Sequence, residues 1–180
     1  IEPAQNVAQI AIEKDVPTRV AFFGRELART MVSENLGADV IVGNNVLAQV
    51  PDLNDFVGGI KILLKPEGVV TLEFPHLKRL IDENQFDTIY HEHFSYFSLL
   101  TIEAMAARHG LRLFDVEELR THGGSLRVYL CHGDASHVAS ANVARILEEE
   151  IAAGFKDMAA YAAFGGKVAA TKRRLLAFLI

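Results

Sequence analysis

Apolar residues follow two different spacings along this chain, and the spacing switches at regular intervals. In residues 4–14, Val7, Ile10 and Ala11 share one side of a 3.6-residue period, which predicts a helix. Arg19-Val20-Ala21-Phe22-Phe23 reads as a short strand ended by Gly24. Residues 26–35 read as a second helix, with Gly37 as its stop. Asp39-Val40-Ile41-Val42 is a buried-type strand broken by Gly43-Asn44-Asn45. Asp52 or Asn54 can cap a third helix whose apolar face is Phe56, Val57, Ile60, Leu63 and Leu64. Lys65-Pro66-Glu67-Gly68 reads as a turn into a strand over 69–74.

Strand and helix in alternation predict an α/β fold with a mostly parallel sheet covered on both faces. Residues 102–109 read as a helix closed by Gly110. Two strands, 111–119 and 125–131, follow with a short link, which predicts a late antiparallel hairpin. Residues 139–153 and 159–180 read as long Ala-rich helices. The expected division is an α/β unit over 1–135 and a helical segment over 136–180 that leads into a further domain. The chain opens at Ile1-Glu2-Pro3 and ends within an apolar helical pattern that has no cap, so it reads as a segment truncated at both ends.

Composition narrows the class. With 180 residues, half of them hydrophobic, the chain can build a real core. A net charge of −5 argues against a general nucleic-acid binder, and no apolar run reaches the length of a membrane span. The lone Cys131 excludes an internal disulfide and fits a reducing compartment, so a cytoplasmic location is expected. Nothing in composition sets the oligomeric state.

The chemistry concentrates in Tyr90-His91-Glu92-His93, with Phe94, Tyr96 and Phe97 just after. A phenol, two imidazoles and a carboxylate among aromatic rings suit proton transfer in a partly dry pocket. Phe74-Pro75-His76 lies upstream and His122-Gly123-Gly124-Ser125-Leu126-Arg127 downstream, and the three stretches read as one site built from three loops. Spacing alone does not separate His91 from His93 as a base. His91 and His93 with a nearby carboxylate could also ligate zinc in a hydrolase or lyase, although no further ligand cluster accompanies them.

The order of elements resembles the later part of a class I methyltransferase, the Rossmann-like fold that binds S-adenosylmethionine. Glu2 resembles the acidic residue that holds the ribose, and Gly43, Asn44 and Asn45 resemble the cofactor loop. Glu73-Phe74-Pro75-His76, Tyr90-His91-Glu92-His93-Phe94-Ser95-Tyr96-Phe97-Ser98 and His122-Gly123-Gly124-Ser125-Leu126-Arg127 together resemble the sugar C-methyltransferases. That resemblance implies methylation of a carbon next to the ketone of a nucleotide-linked 4-keto deoxysugar. It implies His93 as base, Tyr90 as donor to the enolate oxygen and Glu92 as the group orienting His93 or the sugar. Gln49, His76, His122, Ser125 and Arg127 are the expected substrate contacts, with Arg127 placed to meet a diphosphate. No metal is expected within this stretch. The family's glycine-rich loop and zinc-binding region belong before Ile1. Gln49 departs from the family, which has His there; the amide keeps hydrogen bonding but no titration. That departure also leaves open a degenerate, non-catalytic binding module.

Overall fold

The computed structural model describes residues 1–180. Helices α1 (Gln5–Glu13) and α2 (Arg25–Ser33) precede strand β1 (Ala38–Asn44). A 3-10 turn at Leu47–Gln49 leads to α3 (Leu53–Leu63), β2 (Leu64–Pro75) and α4 (Leu77–Asp82). A second 3-10 turn, Phe86–Thr88, and an irregular stretch lead to α5 (Leu99–Arg108). Strands β3 (Leu111–Leu119) and β4 (Ser125–His132) form the hairpin, and α6 (Ala141–Ala152) and α7 (Met158–Leu179) close the chain.

The four strands lie in the order β1-β2-β4-β3. β1 and β2 are parallel, in register from Val40 opposite Val69 to Asn44 opposite Glu73. The hairpin adds two antiparallel pairings, β2 with β4 and β4 with β3. The α/β class holds, but where a mostly parallel sheet was expected the sheet is mixed, with one parallel pairing and two antiparallel ones, because the hairpin inserts β4 directly against β2. Its carboxyl-end crevice, where open α/β sheets bind ligands, lies beyond Asn44 and Pro75.

Two local expectations are corrected. Residues 19–23 form no strand, and Phe22 is 85% exposed. A strand needs a neighbour for its ladder groups; this segment has only the Glu2 amide, which donates to the Arg19 carbonyl at 3.1 Å. Lys65-Pro66-Glu67-Gly68 is not a separate turn but the start of β2. The β1–β2 register slips between Ala38 and Val40, so the extra residues are taken up as an irregularity inside the ladder.

Alternation along the strands decides the core. Val70, Leu72 and Phe74 of β2 line up with Leu130, Val128 and Leu126 of β4 and pack under α3, α5 and α6. The opposite face is not covered at β1, where Val40 and Val42 are 61% and 63% exposed. α3 starts where Asp52 accepts a hydrogen bond from the Asp55 amide at 2.9 Å. α5 starts at a capping box between Ser98 and Thr101. α7 is tied down by a second small cluster, in which Tyr161 and Phe164 pack on Leu80, Ile81 and Phe155.

Candidate active site

The carboxyl end of β1 opens on a cavity of about 530 Å3, of the size small-molecule sites have. Phe22, Phe23, Ile41, Val42, Gly43 and Gln49 are among its walls. Gly43 is closely packed: a Cβ there would sit 2.9 Å from the Leu72 Cδ2 and 3.1 Å from the Val46 Cγ1, so those side chains would have to shift. Asn45 takes a left-handed φ of 53°, and its amide donates to the Glu73 carbonyl at 2.8 Å. Its side-chain Oδ1 is buried with no partner, an acceptor in want of a donor. Asn44 is exposed at the strand end. Glu2 lies between Ile1 and Pro3, which line the cavity; its Oε1 accepts from the Ala4 amide at 2.8 Å.

The Tyr90 loop docks against this cavity's rim. The Phe94 and Ser95 amides both donate to the Ala48 carbonyl, at 2.8 and 3.3 Å, so Gln49 and the loop are held as neighbours. Within the loop, the His93 amide donates to the Tyr90 carbonyl at 3.1 Å. The His93 and Tyr90 rings lie 4.5 Å apart at 34°, and Tyr96 meets His93 edge-on at 5.7 Å. Nδ1 of His93 lies 3.1 Å from the Thr88 carbonyl. A carbonyl accepts only, so Nδ1 carries the proton and Nε2 keeps its lone pair. That is the tautomer a base needs. Tyr90 is 45% exposed, so its phenol can reach an incoming ligand.

Glu92 does not orient His93. It is exposed, and the Thr88 carbonyl occupies the nitrogen a carboxylate would have held. A backbone carbonyl has no signature in the sequence, which is why Thr88 escaped notice. His91 is exposed as well. No three His, Cys, Asp or Glu side chains converge to hold a metal, so the zinc alternative has no geometric support.

The downstream stretch splits in two. His76, Gly124 and Ser125 share a hollow of about 220 Å3 with Arg79, Glu118 and Arg120. His122 stands outside it, exposed and left-handed at φ 51°. Arg127 is not available for a diphosphate. Its guanidinium donates to Glu73 at 2.9 Å and lies 3.6 Å from Glu117. The hydrogen bond to Glu73 pushes Arg127 above its ordinary value, so the charge is held and already matched. The antiparallel register sets this, since Glu73, Arg127 and Glu117 are cross-strand neighbours. Glu73 is buried and also accepts from the Thr121 hydroxyl at 2.9 Å.

The fold is an α/β sheet with a ligand-sized cavity at a strand end; His93 and Tyr90 do not line that cavity, but their loop is held next to its Gln49 through the Ala48 carbonyl. The family described as "Methyltransferase domain" matches residues 1–116, and "C-methyltransferase C-terminal domain" matches residues 120–180. The chain belongs to the methyltransferase-domain family. It is 37% identical over 164 residues to C-methyltransferase NovU of Streptomyces niveus, which covers 91% of this chain but 39% of that protein. The chain therefore spans well under half the length of this curated relative. Among solved structures, a chain from the complex of the Haloferax volcanii Trm112 methyltransferase activator with a methyltransferase aligns at TM-score 0.52. It is 11% identical over 73% of this chain and 70% of that one, a likeness of fold alone.

Proposed function

We propose that the protein is an S-adenosylmethionine-dependent C-methyltransferase that methylates the carbon next to the ketone of a nucleotide-linked deoxysugar. The observation that carries this reading is the His93–Tyr90 pair: a histidine whose free nitrogen is fixed by the Thr88 carbonyl, its ring tilted against a phenol ring with centroids 4.5 Å apart. Carbon methylation next to a ketone requires a base for the α-proton and a donor for the enolate oxygen, and this pair offers both. His93 Nε2 takes the proton. Tyr90 donates its hydroxyl hydrogen to the oxygen on which charge develops. Glu92 lies in the same loop and favours the imidazolium by charge, not by contact.

S-adenosylmethionine, when bound, supplies the electrophilic methyl group. The residues present fit it. The cavity is ligand-sized, Gly43 is in its wall, and Asn45, next to the lining Val46, carries a buried Oδ1 with no partner. Glu2 keeps its second carboxylate oxygen free of internal hydrogen bonds. Gln49, on the cavity wall and next to the Tyr90 loop, fits a positioning role at the junction of the two ligands. The hollow of His76, Gly124 and Ser125 is the proposed sugar-side contact, with Arg120, which has no ion-pair partner, in the anion-binding role first expected of Arg127. His122, exposed outside this hollow, is proposed as an outer substrate contact. Residues 1–135 are the proposed methyl-transfer unit, and 136–180 fall within the C-terminal-domain match that begins at residue 120; a cytoplasmic location is part of this reading.

The test is methyl transfer by the full-length protein from trideuteromethyl-labelled cofactor to a nucleotide-linked 4-keto deoxysugar. The reading requires the label on a sugar carbon. Label on oxygen, or none after cofactor binding is verified, contradicts it and favours a degenerate binding module.

A further inference from the structure

His76 and Glu150 are among the least exposed polar residues of the chain, at 4% and 0%, yet they come from distant elements. Glu150 continues the buried face of α6 after Val143 and Ile146. Its Oε1 accepts from His76 Nε2 at 2.8 Å and from the Leu99 amide at 2.7 Å, and its Oε2 accepts from the Leu100 amide at 2.9 Å. Sealing a carboxylate from water is costly, and a helix start does not demand it. α5 already has its capping box from Ser98 and Thr101. The partner that distinguishes this carboxylate from a cap is His76.

An ionised carboxylate only accepts, so the ring proton sits on Nε2 and the lone pair on Nδ1. Nδ1 has no hydrogen-bond partner in the protein, and it is not among the buried atoms that lack one, so it keeps solvent contact. The ring lines the hollow with Arg79, Arg120 and Ser125. Its backbone is pinned too, since the His76 amide donates to the Gly124 carbonyl at 3.0 Å. Both arginines bring donors only, and Glu118, the hollow's carboxylate, is already paired with Arg79 and Arg145.

We propose that Glu150 is a positioning residue that locks His76 as an acceptor, and that His76 Nδ1 takes a hydrogen bond from a substrate hydroxyl in this hollow. This deepens the sugar-methyltransferase reading and rests on it for the identity of the substrate. The polarity is what gives specificity. A hydroxyl satisfies the lone pair, whereas a substrate that covers the hollow with a carbonyl or no polar group at that position displaces water and leaves the acceptor unpaired. The pair also makes α6, from the C-terminal segment, a support for the carboxyl end of β2.

The test uses the full-length protein. Nitrogen-15 shifts of the His76 ring should show a proton on Nε2 and a bare Nδ1; a proton on Nδ1 overturns the proposal. His76→Gln keeps an amide donor able to reach Glu150 and deletes Nδ1. It should raise KM for the sugar nucleotide about 3- to 10-fold, the worth of one hydrogen bond, with a much smaller change in kcat, in cofactor affinity and in Tm. Glu150→Gln should mix the two ring tautomers and raise the same KM; if that variant does not fold, ring shifts and His76→Gln decide. An unchanged KM in His76→Gln, with wild-type turnover normal, overturns the hydroxyl contact. No turnover by wild type on any keto-sugar nucleotide sinks the methyltransferase reading and the hydroxyl contact together, while the ring shifts still judge the Glu150–His76 lock.

Discussion

A histidine becomes a base through the atom that holds its other nitrogen, and here that atom differs at each ring. Thr88 holds His93 by a carbonyl, Glu150 holds His76 by a carboxylate, and Asn54 Oδ1 lies 3.0 Å from Nε2 of His109. His109 gives a prediction on pH. Burial, with Arg25 and Arg108 nearby, pushes its imidazole below the ordinary value. The unfolded chain therefore binds more protons in the window between the lowered value and the usual ~6.5. The stability His109 contributes is present above that window and lost as pH falls through it. The urea midpoint should drop as pH falls below about 6.5, and His109→Gln should flatten part of that drop. An identical slope in the variant would remove His109 from the account. Side-chain chemistry was readable at Tyr90 and His93 because the residue types announce it. Thr88 was not, since its contribution is a carbonyl. The pairing of Arg127 was not legible, because strand register, which local sequence does not carry, sets Glu73 opposite it. Glu150 could have been found: its spacing from Val143 and Ile146 puts a carboxylate on the apolar side of α6.

At the scale of elements, the crossing of α2 and α3 depends on glycine. A Cβ on Gly59 would lie 2.7 Å from the backbone carbon of Gly24 and 2.8 Å from its oxygen. Helix propensity favours Ala over Gly by about 1 kcal/mol, but overpacking against backbone costs about 1–3 kcal/mol. Gly59→Ala should therefore be net destabilising by up to about 2 kcal/mol, read as a lower urea midpoint; a neutral or stabilised variant would mean that the helices part freely. Six of the seven helices were legible in the sequence pattern, because a helix satisfies its own backbone; α4, Leu77–Asp82, is too short to show a period. The strand expected at residues 19–23 failed because a strand is a relation to a neighbour. Val20, Phe22 and Phe23 have the right composition, but no ladder beside them. Lys65-Pro66-Glu67-Gly68 carries turn residues yet enters β2, because β1 supplies a pairing edge that local sequence does not reveal.

Across the whole molecule, β1 has one ladder partner, β2, and turns Val40 and Val42 to solvent beside an exposed Phe22. An open edge next to apolar side chains is a template for another chain. The 180-residue chain alone should associate with rising concentration in sedimentation velocity, and Val40→Lys with Val42→Lys should reduce it. A clean monomer at all concentrations would show that the edge is protected. The central claim is that His93 removes the proton next to the ketone. It is tested most directly by proton exchange at that carbon in heavy water, with full-length wild type and His93→Ala and with the demethylated cofactor in place of the methyl donor. The account predicts that wild type washes deuterium into the α-position of the keto-sugar nucleotide, and that His93→Ala does so about 10²- to 10⁴-fold more slowly while still binding cofactor. Equal exchange rates in the two proteins would contradict it.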